Sequence, residues 1–409
     1  MNTLETYRKS IRINHLRDER DVLKNLMDAS PLSPALRAAA RNNAVDLVRN
    51  IRADSRPKFM EVFLAEYGLS TKEGVALICL AEALLRVPDS ETIDALIKDK
   101  VAPSSWGQHL GQSSSYLINA STWALLLTGK VLKEGEGVTA VLKGAVKRLG
   151  EPVIRTAVWR AIKEMGAQFI LGQTIEEAVK RAKGREQAGF TYSYDMLGEA
   201  ALTAQDAESF LQAYRRSISN LAEECSSEDI RDNPEISIKL SALHPRYEVS
   251  QTERVMDELV PVVLQLAQQA KAANMGLNID AEEADRLNLS LDVIEAVLRD
   301  PSLKEWDGFG VVVQAYGKRA SFVIDWLNAM ASELDKKIMV RLVKGAYWDT
   351  EIKRAQVEGL KNFPVFTQKP ATDISYICCA KKLLGMTDRI YPQFATHNAH
   401  TVAAILQMT

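Results

Sequence analysis

Short β-prone runs alternate with helix-like segments from about residue 190 onward, and this alternation constrains the fold more than any other feature. The six runs are 190–194, 236–240, 277–279, 310–313, 338–343 and 390–394, and the segments between them include 254–273, 290–298, 321–334 and 372–384. Strands joined through helices of this length run parallel, with right-handed crossovers. The sequence therefore predicts either a β/α barrel or a doubly wound sheet.

Two further observations favour the barrel. Neither GxGxxG nor GxxxxGK[ST] occurs, so both nucleotide-binding loop signatures are missing. Nearly every run ends instead in reactive polar side chains, which is how a β/α barrel builds its active site. In chain order these are Asp195, Glu199, Lys239, Asp280, Glu282, Glu283, Gln314, Tyr316, Arg341, Lys344, Tyr347, Trp348, Thr396, His397 and Asn398.

The number of runs is smaller than a closed barrel needs. Six runs are present, whereas a closed barrel of this kind has eight strands. Two unpaired edges would invite aggregation. We therefore expect an α/β fold in which an N-terminal all-helical region precedes a (β/α)8-type barrel truncated after about six strands, and we expect the native chain to be longer.

Composition and charge exclude several classes of protein. The net charge is −2, which gives no overall attraction to nucleic acid or to an anionic membrane. No apolar run reaches the roughly 18 to 20 residues that span a bilayer, and the charged N-terminus has no signal-peptide core. The cysteines form no CxxC pair, and the adjacent Cys378 and Cys379 are predicted to be buried free thiols. A reducing cytoplasm fits these features.

The acidic cluster after the third run has two interpretations. Asp280 and Glu282 lie two apart, so both can face the same side of a strand. With His397 and His400 they would suit a divalent-metal barrel enzyme, although such sites usually draw histidines from early strands. The alternative is a solvated group of charges at a strand end.

Lys239 is a cation among aliphatic residues in the second run. It can form a Schiff base or anchor a carboxylate. It can also extend its charge to the rim of the barrel without a chemical role. The sequence does not separate these three interpretations.

The string RLVKGAYW at 341–348 is the most informative local pattern. Two cations, a glycine and two aromatic residues follow a buried strand. Such a set suits a flat anionic ligand such as a flavin nucleotide, and an arginine beside the flavin can stabilise charge on the reduced ring. The alternative is a strand end with packed aromatic side chains.

Six strings in order resemble the proline dehydrogenase domain of the proline utilization A family. They are YSYDMLGEA at 192–200, SIKLSALHPRY at 237–247, NIDAEE at 278–283, VQAY at 313–316, RLVKGAYW at 341–348 and FATHNAH at 394–400. The resemblance runs from about 175 to 409. EGVAL at 73–77 and LAEALLR at 80–86 resemble that family's helical region. The implied domains are a dimerisation arm at 1–50, a helical domain at 51–170 and the incomplete barrel at 171–409.

The resemblance implies that FAD takes a hydride from C5 of L-proline, forming pyrroline-5-carboxylate, and that electrons pass to membrane quinone. It implies that Lys239 holds the proline carboxylate, that Asp280 organises the pocket and that Tyr347 packs on the substrate ring. Glu199 would belong to a gate ion pair with an arginine beyond residue 409. The implied FAD contacts are Gln314, Arg341, Lys344, Gly345, Ala346, Trp348, Thr396 and His397, with Arg341 also catalytic, and no metal is implied.

The resemblance also implies a cytoplasmic homodimer that associates peripherally with the inner face of the membrane. The family's C-terminal aldehyde dehydrogenase half, and the last barrel helix with its arginine pair for the substrate carboxylate, are missing from this sequence. We therefore expect weak or no proline turnover by the isolated chain. The ribbon-helix-helix domain with which some members begin is also missing, so we expect no sequence-specific DNA binding. The alternatives are an inactive dimerising helical module and a metal-dependent β/α-barrel enzyme.

Overall fold

The structure is a computed structural model that describes residues 3–29, 32–53, 92 and 170–409. The chain divides into two compact units, Met1–Ile51 with Lys183–Thr409, and Arg52–Ala182. The family-like strings at 73–77 and 80–86 lie outside the described residues. The proposed domain boundaries near residues 50 and 170 stay predictions.

The first unit contains a six-stranded parallel sheet whose strands follow one another in chain order. The strands are β1 (Ser193–Asp195), β2 (Glu235–Ile238), β3 (Gly276–Ile279), β4 (Phe309–Gln314), β5 (Ile338–Val343) and β6 (Ile390–Phe394). A doubly wound sheet would reverse its strand order at a switch point, whereas a barrel keeps it. The prediction of six consecutive strands of a barrel-type sheet is therefore confirmed.

The helices of the described ranges are α1 (Thr3–Ile13), α2 (Glu19–Ala29), α3 (Pro34–Ala53), α4 (Ile175–Glu186), α5 (Ala204–Ala222), α6 (Leu240–Leu243), α7 (Thr252–Ala272), α8 (Leu287–Leu298), α9 (Ala320–Glu333), α10 (Trp348–Val357), α11 (Lys369–Leu384) and α12 (Ala399–Leu406). Local chemistry sets several of their ends. Thr203 and Asp206 form a capping box that starts α5. Val255, Leu259 and Val263 repeat every four residues on the buried face of α7.

The sheet is curled, as contacts between side chains of distant strands inside it show. Arg341 of β5 donates to the Ser237 hydroxyl of β2 at 2.8 Å. Gln393 of β6 donates to Glu235 of β2 at 2.5 Å. In a flat sheet, β2 and β5 would lie about 14 Å apart, three strand spacings, which an arginine side chain cannot cross to make this contact.

Two predicted strand bounds are wrong by more than one residue. The first strand begins at Ser193, and Phe190 lies outside it, 56% exposed and beside the Arg185 guanidinium. The second strand ends at Ile238, because Leu240 already begins α6. Short apolar runs look alike as strand and as buried helix, which explains the second error. The bounds of β5 and β6 agree with the prediction.

The N-terminal helices pack against the helical layer of the same unit. Leu4 and Ile11 of α1 are buried. Arg8, between them, pairs with Asp292 of α8 and lies 5.5 Å from the centre of the Trp326 ring of α9. Val22 of α2 belongs to a small apolar cluster with Phe366 and Ala371.

Cys378 and Cys379 are buried free thiols in α11, as predicted. Burial raises the pKa of both thiols, which keeps them protonated and unreactive near neutral pH. Among the helices that the structure describes, none is long and apolar enough to cross a bilayer.

Candidate active site

The ends of β1, β2 and β3 bring one cation and two carboxylates together. Asp195 is the last residue of β1, and Lys239 and Asp280 directly follow β2 and β3. The Lys239 Nζ lies 3.0 Å from Asp195 Oδ1 and 2.7 Å from Asp280 Oδ2. Neighbouring parallel strands end at the same edge, so the contact follows from the strand order.

The charges in this cluster indicate what Lys239 can do. Burial lowers the pKa of Lys239, but Asp280 and Asp195 outweigh burial and hold the pKa above its ordinary value. A Schiff-base lysine needs a lowered pKa, so the geometry favours a charged anchor over a nucleophile. The Lys239 side chain is only 15% exposed, which disfavours a charge that merely reaches for solvent.

The Glu282 side chain is buried, the Glu283 side chain is partly covered, and both are paired. Glu282 Oε1 accepts from the Ser241 N–H at 3.0 Å, and its side chain is 5% exposed. Arg286 lies 3.1 Å from Glu283. These residues are therefore not a solvated charge cluster. Within the described ranges, no group of three or more His, Cys, Asp or Glu side chains is placed to hold a metal ion.

Gln314 ties the end of β4 to the loops on both sides of it. Its Nε2 donates to the Glu282 carbonyl at 2.8 Å, and its Oε1 accepts from the Ala346 N–H at 3.1 Å. Gly345 precedes that amide with a φ of +133°, a conformation that favours glycine. A Cβ at Gly345 would also lie 2.5 Å from the Tyr316 ring. The loop after β5 therefore packs tightly against the end of β4.

The Tyr347 side chain reaches from the loop after β5 to the loop after β1. Its hydroxyl donates to Glu199 Oε2 at 2.9 Å. Burial and the Glu199 carboxylate both raise the pKa of Tyr347, so the phenol stays protonated and can act as a donor. The structure thus brings together two predicted site residues that lie 148 positions apart.

Lys344 and Trp348 contact the segment between α10 and α11 and the start of α11. Lys344 forms an ion pair with Asp373 and lies 5.9 Å from the centre of the Tyr376 ring. The Trp348 indole donates to the Phe366 carbonyl at 2.9 Å and remains 41% exposed. An exposed indole at this end of the sheet is available to a flat ligand.

The sixth strand end carries the last two predicted cofactor residues. Thr396 accepts from the Asn398 N–H at 3.1 Å through its hydroxyl, and His397 is exposed. Asn398 also caps α12 by accepting from the Thr401 N–H at 3.0 Å. The turn is therefore held by its own hydrogen bonds, with the imidazole presented outward.

Arg341 points into the curled sheet and contacts residues that sequence reasoning missed. Its guanidinium donates to side chains of Ser193, Glu235, Ser237 and Gln393. A signal was available, because Glu235 and Ser237 alternate along β2 and so share one face of a strand that was otherwise read as apolar.

A small cavity lies beside this site, around the ends of β3 and β4 and the helices that follow them. Its volume is about 50 Å3, and its walls include Tyr247, Glu282, Tyr316 and Arg319. Pockets that bury small ligands measure about 300–1,000 Å3, so this cavity suits a few water molecules at most.

Three family models match the chain. The model described as "Proline dehydrogenase" matches residues 178–409, "DNA-binding domain of Proline dehydrogenase" matches 59–169, and "Proline utilization A proline dehydrogenase N-terminal domain" matches 6–52. The first of these covers more than half of the chain, including all six strands. The second matches residues that are almost all outside the described ranges.

Among curated relatives, "Bifunctional protein PutA" of Salmonella typhimurium is 49% identical over 96% of this chain and 30% of its own length. The protein of the same name from Escherichia coli is 47% identical over 98% of this chain and 31% of its own length. "Proline dehydrogenase 1" of Bacillus subtilis is 27% identical over 60% of this chain and 69% of its own length. The chain therefore spans about a third of the bifunctional relatives.

A solved structure of proline utilization A (PutA) from Bradyrhizobium japonicum is similar to this chain with a TM-score of 0.71 and 48% identity, over 96% of this chain and 39% of that one. Proline utilization A from Bdellovibrio bacteriovorus, at 22% identity and a TM-score of 0.65, shares the fold. The resemblance drawn from the six strings is confirmed, and the chain belongs to the proline dehydrogenase family.

Proposed function

We propose that this chain carries the site of an FAD-dependent proline dehydrogenase, which oxidises L-proline to pyrroline-5-carboxylate and passes the electrons to membrane quinone. The observation that carries the proposal is the convergence of Lys239, Asp280 and Tyr347 at the same end of the curled sheet, each held by a charged or hydrogen-bonded partner. Hydride transfer depends on positioning and charge stabilisation more than on a strong base, and this arrangement supplies both.

On the substrate side, Lys239 is the cation for the proline carboxylate. Its ammonium faces Asp195 and Asp280 within 3.0 Å, so the cluster as a whole has one excess negative charge. A substrate carboxylate therefore meets a repulsive field unless a further cation joins Lys239. This balance supports the expectation that turnover by the isolated chain is weak. Tyr347 and Glu199 would close the other side of the pocket.

The ends of β4, β5 and β6 carry groups that fit FAD. Arg341 and Lys344 supply two cations for an electron-rich ring edge and a pyrophosphate. Trp348 is 41% exposed and offers a flat surface for a ring. The residues that would hold FAD are Gln314, Arg341, Lys344, Gly345, Ala346, Trp348, Thr396 and His397. When bound, FAD supplies the hydride acceptor for C5 of proline.

The first experiment is a visible absorption spectrum of the purified chain, followed by proline titration with a dye acceptor. A flavin spectrum together with slow, proline-dependent dye reduction is expected. The assignment of FAD to this chain would be contradicted by a folded protein that shows no flavin absorption after incubation with excess FAD and removal of the unbound FAD.

The matched pair of variants is Lys239→Met and Lys382→Met. Both lysines are paired with aspartate and similarly covered, but Lys382 lies 2.8 Å from Asp325 between α9 and α11, away from the strand ends. Loss of a charged hydrogen bond of about 1.5–3 kcal/mol should lower kcat/KM for proline about 10- to 100-fold in the Lys239 variant. Equal effects of the two substitutions would count against an anchoring role.

The remaining partners are part of the same proposal. We infer a cytoplasmic homodimer with peripheral association to the inner membrane face, and an aldehyde dehydrogenase half in the native chain. Deleting residues 1–50 and measuring mass in solution tests the dimerisation arm, and an unchanged mass would argue against it. A gel shift over a salt series tests DNA binding directly, because the family model matching 59–169 is described as DNA-binding.

A further inference from the structure

A buried ion pair lies inside the curled sheet and joins its second and fifth strands. Glu235 opens β2 and Arg341 lies within β5, and their side chains are 10% and 18% exposed. Arg341 Nη2 lies 3.0 Å from Glu235 Oε2. The strands that carry these residues are not neighbours in the sheet, so the pair depends on its curvature.

Both carboxylate oxygens of Glu235 accept hydrogen bonds from side-chain donors. Its Oε2 also accepts from Asn278 Nδ2 at 2.8 Å, and its Oε1 accepts from Gln393 Nε2 at 2.5 Å. The same Gln393 accepts from Arg341 Nε at 3.2 Å through its own carbonyl oxygen. Glu235, Arg341 and Gln393 therefore form a closed ring of hydrogen bonds that fixes the orientation of the guanidinium.

Two glycines on neighbouring strands leave the space for this network. A Cβ at Gly276 would lie 2.7 Å from Glu235 Cγ, and a Cβ at Gly310 would lie 2.0 Å from Asn278 Oδ1. Apolar side chains of similar volume are often neutral or stabilising where they replace a buried ion pair. Stability alone therefore does not account for a charge pair here.

The guanidinium is left with one N–H for another partner. Its Nε donates to Gln393, its Nη1 to Ser237, and its Nη2 to both Ser193 and Glu235, so the described contacts use four of the five N–H groups that a guanidinium carries. The unused N–H is on Nη1. A ligand at the end of the sheet would meet an arginine whose direction is already set.

We propose that Glu235 is the positioning residue for Arg341 and, through it, sets the electron affinity of the flavin. This rests on the proposed FAD site. Glu235 balances the charge of Arg341 and holds its guanidinium in the sheet interior. Removing the carboxylate charge leaves Arg341 uncompensated, which favours the more negative, reduced flavin.

The test measures the flavin midpoint potential in wild type, Glu235→Gln, Arg341→Met and the double variant. Glu235→Gln should shift the reduction equilibrium toward the reduced flavin by about tenfold, about 30 mV for a two-electron couple. Most of that shift should disappear in the Arg341→Met background. An unchanged potential, or an equal shift in both backgrounds, would overturn the positioning role.

Two controls separate charge from packing. Ser193→Ala removes a neutral acceptor from the same Nη2 and should shift the potential much less than Glu235→Gln. If Glu235→Gln does not fold, Glu235→Asp replaces it. That variant withdraws the carboxylate by one methylene and should give a smaller shift in the same direction, whereas an unchanged potential would overturn the proposal.

A cofactor-free measurement distinguishes this inference from the proposed function. If the wild-type chain binds no flavin, the FAD assignment fails for this chain, but urea unfolding of the same four proteins still reports the coupling of Glu235 and Arg341. The loss of stability in the double variant should be clearly smaller than the sum of the two single losses. Additive losses would show that the two residues act independently and would overturn the pairing.

Discussion

Replacing Gly345 with alanine should destabilise the folded chain by an amount that follows from two local features. The φ of +133° at Gly345 is strained for any other residue, which costs about 1–3 kcal/mol. The added Cβ would lie 2.5 Å from carbon atoms of the Tyr316 ring, and overpacking of this kind costs about 1–3 kcal/mol more. We expect the free energy of unfolding to fall by about 2–6 kcal/mol.

Urea unfolding followed by circular dichroism gives the measurement, with two glycine controls. Gly359 has a φ of +65° and open space around its Cβ position, so Gly359→Ala should cost only the backbone strain of about 1–2 kcal/mol. Gly184 lies in α4 with no atom near its Cβ position, so Gly184→Ala should stabilise by about 0.5–1 kcal/mol. If Gly345→Ala costs no more than Gly359→Ala, the Tyr316 contact does not constrain this loop and the reasoning is refuted.

Two further predictions concern the N-terminal segment. Glu19 Oε2 accepts hydrogen bonds from both the N–H and the hydroxyl of Thr367. Glu19→Ala should therefore lower the free energy of unfolding, measured by urea titration, by about 1–2 kcal/mol. An unchanged urea midpoint would contradict the contact. Burial, with Arg319 and Lys318 nearby, lowers the pKa of His15 to about 4. The contribution of His15 to the free energy of unfolding is therefore present above its unfolded pKa near 6.5, and it is lost as the pH falls toward 4. After discounting for solvent screening we expect a loss of about 1–2 kcal/mol between pH 7 and pH 4 that His15→Gln abolishes; an identical pH profile in the variant would contradict it.

The strand-end residues were predictable because their placement depends on local pattern and one topological rule. Lys239 and Asp280 each follow a short β-prone run, and parallel strands in chain order place such residues at one edge. Their contact, and that of Lys239 with Asp195, needs only adjacent strands. The apolar periodicity of a helix is also a local pattern. The bounds of α7 and α9 were therefore predicted to within a few residues.

By itself, then, the sequence determined the order of strands and helices, the polar ends of the strands and the family. Only the tertiary structure decided that Glu235 faces Arg341 and that Tyr347 reaches Glu199. Hydrophobic periodicity reports which side of an element is buried, not how strongly a sheet curls. Contacts between strands that are not neighbours, and the charges that such contacts stabilise, depend on that curvature.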